Sequence, residues 1–325
     1  LIRDLGAEIQ FNRKVSKLDM DELTAQGFKA IFLGVGAHEG TKMGCKGEDA
    51  GYEGFVDGAV FLRELALGKT VEPKGKVVIV GGGNVAMDCA RSCARLGFKE
   101  VEILYRRTRK EMPARAEEVD EALEEGIKIR YLVAPVSVLA EGNRVKGVEC
   151  IRMKLGEPDA SGRRRPIPVK GSEFKVKADM VIPAIGQRPD LGFAKDVIQV
   201  TGWGTIEVNP ETLRTNLEGV FAGGDCVTGP ATLIEALDAG NKAARSIDAY
   251  LQGRTLEPEV SFKGIDVGSQ RVMGFVDACP QEKVSLLDPK VRVKGFDEVE
   301  GPYSDAVAMK EANRCLRCYR LAVWE

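Results

Sequence analysis

The sequence predicts an α/β protein of two lobes, one inserted into the other, on three observations. A β-branched run from Lys76 to Val80 enters the turn GGGNVA and leaves it as a helix, with Val85, Cys89, Cys93 and Leu96 on one apolar face. A second strand, Val220 to Ala222, ends in Gly223-Gly224-Asp225, and Thr232-Leu233-Ile234-Glu235 then has the spacing of a capping box that starts another helix. The first pattern finishes before the second resumes, so one lobe is split around the other. A strand, a glycine turn and a helix form a Rossmann-like dinucleotide-binding unit, in which bare N–H groups and the helix dipole attract phosphate. The expected lobes are residues 1–72 with 186–254, and residues 73–185 inserted between them. Residues 255–325 are read as a tail.

Taken in order, residues 1–37 read as a helix end, a short strand, and a buried strand from Phe28 to Val35 that stops at small residues. Leu1 opens in mid-pattern, and the N-terminus reads as cut. Residues 57–68 are a helix, with Val60, Leu62, Leu65 and Ala66 at helical spacing and Gly68 as its stop. Pro73-Lys74-Gly75 is a break before the strand at Lys76. The helix after the glycine turn runs to about Leu96. Residues 100–106 form a second strand and residues 114–125 an acidic helix ended by Gly126. From Ile127 to about Ala184 the alternation has period two, with turns at Glu141–Asn143 and Asp159–Arg165, which predicts a β-meander. Met180 to Gly186 is a buried strand. Short strands at 205–208 and 219–222 precede a helix over 232–251. Beyond Gln252 the regularity fades, and the tail ends in Arg314-Cys315-Leu316-Arg317-Cys318.

Bulk properties exclude several classes. A chain of 325 residues, 44% hydrophobic and 30% charged, is ordinary for globular domains. A net charge of -2 gives no electrostatic reason to expect nucleic acid or an anionic membrane as partner. No apolar run approaches the roughly 20 residues of a membrane span, and no signal-peptide pattern is present. Eight cysteines are too few for a disulfide scaffold, which fits a reducing, cytoplasmic compartment. The one histidine, His38, leaves little for imidazole acid–base or metal chemistry. Hydride and electron transfer need no such group, because a cofactor carries the reactive atoms. No catalytic side chain is therefore expected.

Within the first unit, Gly81 permits the tight turn, Gly83 lets the backbone approach a pyrophosphate, and Ala86 allows close helix–strand packing. The end of the following strand selects the nucleotide. Tyr105-Arg106-Arg107, with Arg109 and Lys110 beyond, offers guanidinium groups where an NAD site has a carboxylate. This predicts NADPH, with Arg106 and Arg107 on its 2′-phosphate. In the second unit, Gly223 and Gly224 permit close backbone approach and Asp225 can accept from a sugar-alcohol hydroxyl. A helix N-terminus at Thr232 would stabilise negative charge on a reduced flavin. Arg163-Arg164-Arg165 reads as a solvated loop.

The segments GGGNVAMDCAR, YRR followed by EMPAR, PAIGQRPD, and GVFAGGD followed by TLIEALDAG occur in this order. In them the chain resembles the flavin-dependent NADPH oxidoreductases related to the glutamate synthase small subunit, of the pyridine nucleotide-disulfide oxidoreductase type. The resemblance covers residues 1–253 and, more loosely, the tail. It implies an NADPH domain inserted in a split FAD domain. It implies FAD contacts at Gly36, Gly224, Asp225 and the Thr232 helix start, and NADPH contacts at Gly83, Asn84, Val85, Arg106, Arg107 and the Gly186 loop. The family's FAD domain opens with its own glycine-rich βαβ unit, which would lie before residue 1, so the FAD cradle is expected to be incomplete in this chain. The expected function is passage of hydride from NADPH to FAD and of electrons onward to a redox partner subunit or iron–sulfur cluster. The alternative is a non-catalytic nucleotide-binding subunit of a redox complex. A thiol–disulfide reductase would need C-x-x-C beside the flavin, whereas the one here is at the far end. Cys315 and Cys318 read as half of a four-thiolate cluster set completed elsewhere, with Cys279 as a candidate third, or as an exposed docking pair.

Overall fold

The computed structural model describes residues 2–159, 162–256 and 280–313. The inserted lobe is built on a parallel sheet of β3 (Lys76–Val80), β4 (Glu100–Tyr105), β5 (Lys128–Tyr131) and β10 (Met180–Pro183), in the order β10-β3-β4-β5. The elements before β3 are α1 (Met20–Ala25), β1 (Ile31–Leu33), β2 (Glu39–Gly40) and α2 (Gly58–Ala66). The period-two pleat divides the central strand between two cores. Val77 and Ile79 point into a cluster under α2, α3 (Asn84–Leu96) and α4 (Ala116–Glu124), while Val78 and Val80 point into a second cluster. An antiparallel meander covers that second face: β6 (Val133–Glu141), the long β7 (Arg144–Pro158), β8 (Arg164–Pro168) and β9 (Phe174–Lys177). Both faces being covered explains the continuous β-branched run of β3.

β11 (Gln187–Arg188) then leads back to the first lobe, where β12 (Val220–Ala222) lies parallel to β1 in the register Ile31↔Val220 to Leu33↔Ala222. α5 (Asp225–Thr228) and α6 (Leu233–Leu251) follow, and Tyr250 packs edge-on against Phe221 at 5.7 Å. The split lobe is thus closed by pairing between its two sequence-distant halves.

Three expectations are corrected. The buried strand over 28–35 shrinks to Ile31–Leu33, with Phe32 exposed. The short strand expected upstream does not form: Ile9, Phe11 and Val15 alternate as a strand would, yet all three are exposed, because no neighbouring strand pairs with them among the described residues. The segment 205–208 contributes only an isolated bridge, Val200↔Ile206.

The boundary at residue 72 also moves. Met43, Cys45, Tyr52 and Phe55 pack with the meander-side cluster, and Val56, Phe61 and Leu62 with the helix-side cluster, so residues 43–66 belong to the inserted lobe's cores. Gly58 shows how close the packing is, since a Cβ there would lie 3.0 Å from the Pro183 carbonyl oxygen and 3.2 Å from Cys89 Sγ. The crossing between lobes is instead the antiparallel pair β2–β11, where Gln187 faces Gly40 and Thr41 N–H donates to the Gly186 carbonyl at 2.9 Å.

Residues 280–313 return to the inserted lobe through α7 (Pro289–Arg292), while α8 (Asp305–Asn313) ends the described chain. The Arg292 and Glu125 side chains are both 0% exposed and meet at 3.0 Å; Arg292 also reaches Glu124 at 2.6 Å, and Arg91 joins Glu121 and Glu125 at 2.7 Å each. Among the described residues no helix is long and apolar enough to cross a membrane.

Candidate functional site

The glycine turn sits at the carboxyl end of β3, where its three glycines do different work. Gly81 has φ +151, and a Cβ there would fall 2.1 Å from the Ala184 carbonyl oxygen. It would also lie 3.3 Å from Ala86 Cβ, and Ala86 itself is fully buried, so the small residue at that position is what lets α3 approach. Gly82, which the motif spacing did not single out, lies under the Tyr105 ring, with a Cβ position 2.5 Å from two ring carbons. The Tyr105 hydroxyl donates to the Glu111 carbonyl at 2.6 Å, fixing that ring in place. The signal was the aromatic residue ending the adjacent strand. Gly83 is the residue before α3, and a Cβ there would meet only Pro113 Cγ at 3.7 Å. The open face of the turn is therefore at Gly83, where the first N–H groups of the helix lack intrahelical partners.

Asn84 and Val85 flank this opening. Asn84 Oδ1 accepts from Arg115 N–H at 3.3 Å, and Ala114 N–H donates to the Gly82 carbonyl at 3.1 Å, so the turn over 112–115 lies across the glycine loop. Val85 is half-buried against the helix-side cluster. Gly186, with φ +129, sits at the β2–β11 crossing.

The two arginines after β4 part company. Arg106 is exposed and forms no ion pair among the described residues. Arg107 is buried; its guanidinium pairs with Asp159 at 2.8 Å and its Nε donates to the Arg164 carbonyl at 2.8 Å. The expectation that both grip one phosphate is revised, because successive residues leaving a strand point to opposite sides. The triple-arginine segment is solvated as expected at Arg164 and Arg165, but it is not all loop: β8 begins at Arg164, whose Nε donates to the Gly156 carbonyl at 3.1 Å.

In the other lobe, Gly36, Gly224, Asp225 and Thr232 line one cleft of about 330 Å³ together with Phe32 and Gly34. Gly36 (φ +68) and Gly224 (φ +74) are in the left-handed region, and a Cβ at Gly224 would meet only Ala236, at 3.9 Å. Asp225 Oδ1 accepts from Ala231 N–H at 3.3 Å, holding the loop before α6. The capping box forms: Glu235 N–H donates to Thr232 Oγ1 at 3.4 Å and Thr232 N–H donates to the Glu235 carboxylate at 2.8 Å. Those bonds, the hydroxyl's first, hold the Glu235 carboxyl below the usual range. Phe32, unforeseen as a lining residue, packs its ring against Gly34 and Gly223. The cleft is at the small end of the roughly 300–1,000 Å³ of ligand pockets, so its residues fit part of a dinucleotide.

The described cysteines are buried and unpaired. Burial pushes the Cys45 thiol up to about 11 and those of Cys93 and Cys150 to about 12, and raises Cys89 and Cys226 as well. Such thiols are poor nucleophiles at neutral pH. A thiol-specific reagent at pH 7 is expected to leave these five unlabelled in the folded protein and to label them after denaturation, read by peptide mass spectrometry. Labelling of Cys89 or Cys93 in the folded protein would contradict this. Cys279, Cys315 and Cys318 lie outside the described residues.

Residues 3–240 match the family described as pyridine nucleotide-disulphide oxidoreductase. The chain belongs to that family. Among curated relatives of this chain, the NADP(+)-dependent formate dehydrogenase subunit beta of Moorella thermoacetica is 47% identical over 99% of the chain and 47% of the relative. The NADPH-Fe(3+) oxidoreductase subunit beta of Geobacter sulfurreducens is 43% identical over 99% of the chain and 53% of the relative. The glutamate synthase (NADPH) small chain of Escherichia coli is 37% identical over 76% of the chain and 56% of the relative, which bears out the resemblance drawn from the motifs. The chain spans about half the length of these relatives. Two solved structures share the fold: thioredoxin reductase of T. acidophilum (TM-score 0.53, 24% identity, 69% of this chain and 66% of that one), and FprA of Mycobacterium tuberculosis (TM-score 0.61, 18% identity, 74% and 69%).

Proposed function

We propose that this chain is the NADPH-entry part of a flavin-dependent oxidoreductase that works with a redox partner subunit. One observation carries the reading: residues from both ends of the split lobe, Gly36 on one side and Gly224, Asp225 and Thr232 on the other, converge on a single cleft. The inserted lobe adds a glycine turn open at Gly83 and an exposed Arg106 at the end of the neighbouring strand. When bound, NADPH and FAD would supply the hydride and electron chemistry. The chain's own residues bind and orient them: Gly83 and the start of α3 receive a pyrophosphate, Arg106 a 2′-phosphate, Asp225 a sugar-alcohol hydroxyl, and the α6 N-terminus the negative end of the flavin. The partner subunit is supported by the names of two relatives, each a beta subunit. A cytoplasmic location is supported by the five unpaired cysteines.

The test uses the polypeptide as isolated from its source, supplemented with FAD. Anaerobic NADPH is expected to bleach the flavin's visible absorbance, and NADH at equal concentration to do so at least tenfold more slowly, since one charge-assisted contact contributes roughly 1.5–3 kcal/mol. Bleaching by dithionite but by neither nicotinamide would overturn the reading in favour of a non-catalytic nucleotide-binding subunit.

A further inference from the structure

We propose that Arg115, the last residue of the turn over 112–115, is a ligand of the nucleotide's pyrophosphate and closes over it from the side facing the glycine turn. The proposal rests on the reading of Gly83 and the start of α3 as the pyrophosphate site, and it gives that site its cation. The turn belongs to the segment EMPAR, one of the motifs that carry the family resemblance, yet none of its residues is among the contacts that the resemblance implies.

The turn is fixed over the glycine loop at three points. Pro113 Cγ stands 3.7 Å from where a Cβ on Gly83 would be. Ala114 N–H donates to the Gly82 carbonyl at 3.1 Å, and Arg115 N–H donates to Asn84 Oδ1 at 3.3 Å. The residues leading into it are held as well, by the capping box between Thr108 and Glu111 and by the Tyr105 hydroxyl on the Glu111 carbonyl at 2.6 Å. The backbone of Arg115 therefore lies one hydrogen bond from the first residue of α3, at the helix start on which the open side of the turn gives. Arg115 is also the residue before α4, so both helices begin at this gap, and neither start is capped by a side chain.

The site needs a cation that the glycine turn does not have. A pyrophosphate brings two negative charges, whereas a helix start offers roughly half a positive one, and GGGNVA contains no charged side chain. The neighbouring arginines are engaged elsewhere: Arg91 with Glu121 and Glu125, Arg107 with Asp159, and Arg109 with Asp120. Arg115 is exposed, does not cap α4, and forms no ion pair among the described residues. Even Glu118, one turn further along α4, is not its partner, since Oε2 of that carboxylate is buried without a hydrogen bond. A long cationic side chain thus stands on an anchored backbone beside the opening, with nothing in the protein to hold it. Its guanidinium carries the parallel N–H donors that phosphate oxygens accept.

Calorimetric titration with NADP⁺ and with adenosine 2′-monophosphate, which keeps the adenosine end and lacks the pyrophosphate, decides it. Arg115→Ala is expected to weaken NADP⁺ roughly 10- to 100-fold and to leave the monophosphate unchanged, with Arg115→Lys recovering part of the loss. The melting temperature of Arg115→Ala should not move, because the side chain holds nothing in the fold. Arg106→Ala, by contrast, should weaken both probes. Gly83→Ala separates the proposal from the reading on which it rests. If Gly83→Ala weakens NADP⁺ and Arg115→Ala does not, the role of Arg115 is overturned and the reading of the glycine turn stands. If neither variant matters, both are overturned. Equal weakening of the two probes by Arg115→Ala would move the residue to the adenosine end and overturn the proposal. A lowered melting temperature in that variant would show a structural role in the turn and overturn it as well.

Discussion

Gly81→Ala is expected to lower the stability of the nucleotide lobe by about 3 kcal/mol or more, whereas Gly83→Ala leaves stability within about 1 kcal/mol and removes nucleotide binding. The two glycines are two positions apart, but their surroundings are opposite. At Gly81 the added methyl collides with the Ala184 carbonyl, and both sides of that contact are backbone. Ala184 cannot retreat cheaply, because its N–H is bonded to the Val80 carbonyl at 2.7 Å. The φ of +151 adds strain for any residue with a Cβ. At Gly83 the backbone is extended, with φ -96 and ψ -179, so alanine adopts it without strain. There the methyl projects into the opening over the start of α3, where a pyrophosphate must come close. A shift of roughly 6–12 °C in the melting temperature of Gly81→Ala is expected. For Gly83→Ala an NADP⁺ affinity at least tenfold weaker is expected with melting almost unmoved. Calorimetric scans and titrations read both. Wild-type melting in Gly81→Ala, or wild-type affinity in Gly83→Ala, would show that the turn does not work this way.

Arg292→Ala is the other change with a large expected effect, about 3–5 kcal/mol of destabilisation. Arg292 plugs the carboxyl-terminal end of α4, where Glu121, Glu124 and Glu125 converge. Removing it leaves the buried Glu125 to Arg91 and Arg95 alone. It also cuts the main charged tie between residues 280–313 and the lobe. Urea unfolding should show the loss, and limited proteolysis should cleave near residue 290 faster in the variant. The network should also resist salt, being buried, while the Arg109–Asp120 pair, with side chains 46% and 56% exposed, should not matter at all. A loss under about 1 kcal/mol for Arg292→Ala would refute the clamp.

The glycine turn, its strand and its helix were legible because each rests on local chemistry: β-branched residues, a three-glycine run and an apolar face at helical spacing. The start of α6 was legible for the same reason, since the capping box at Thr232 is a four-residue signal. Other features depended on partners far along the chain. Whether Arg107 points to ligand or to core is decided by Asp159, 52 residues away. The helix at 58–66 was found from its periodicity, but periodicity does not say which sheet the apolar face will meet, so the lobe boundary was placed too late. The alternation of Ile9, Phe11 and Val15 is a strand pattern, yet a strand exists only with a neighbour to bond. Arg292 carried no local signal, because the acidic helix that buries it looks solvated when read alone.

The meeting of Thr41 and Gly186 within one hydrogen bond has a consequence for how the protein folds. To the surrounding lobe, everything between these residues is one long loop. Left unfolded, a loop of this length would cost on the order of 5 kcal/mol in chain entropy to close. Once the insert has folded, its ends already touch, and β1 and β12 can pair at almost no such cost. Chain entropy therefore favours an insert that folds before β1 and β12 pair, so that the host lobe draws part of its stability from its guest.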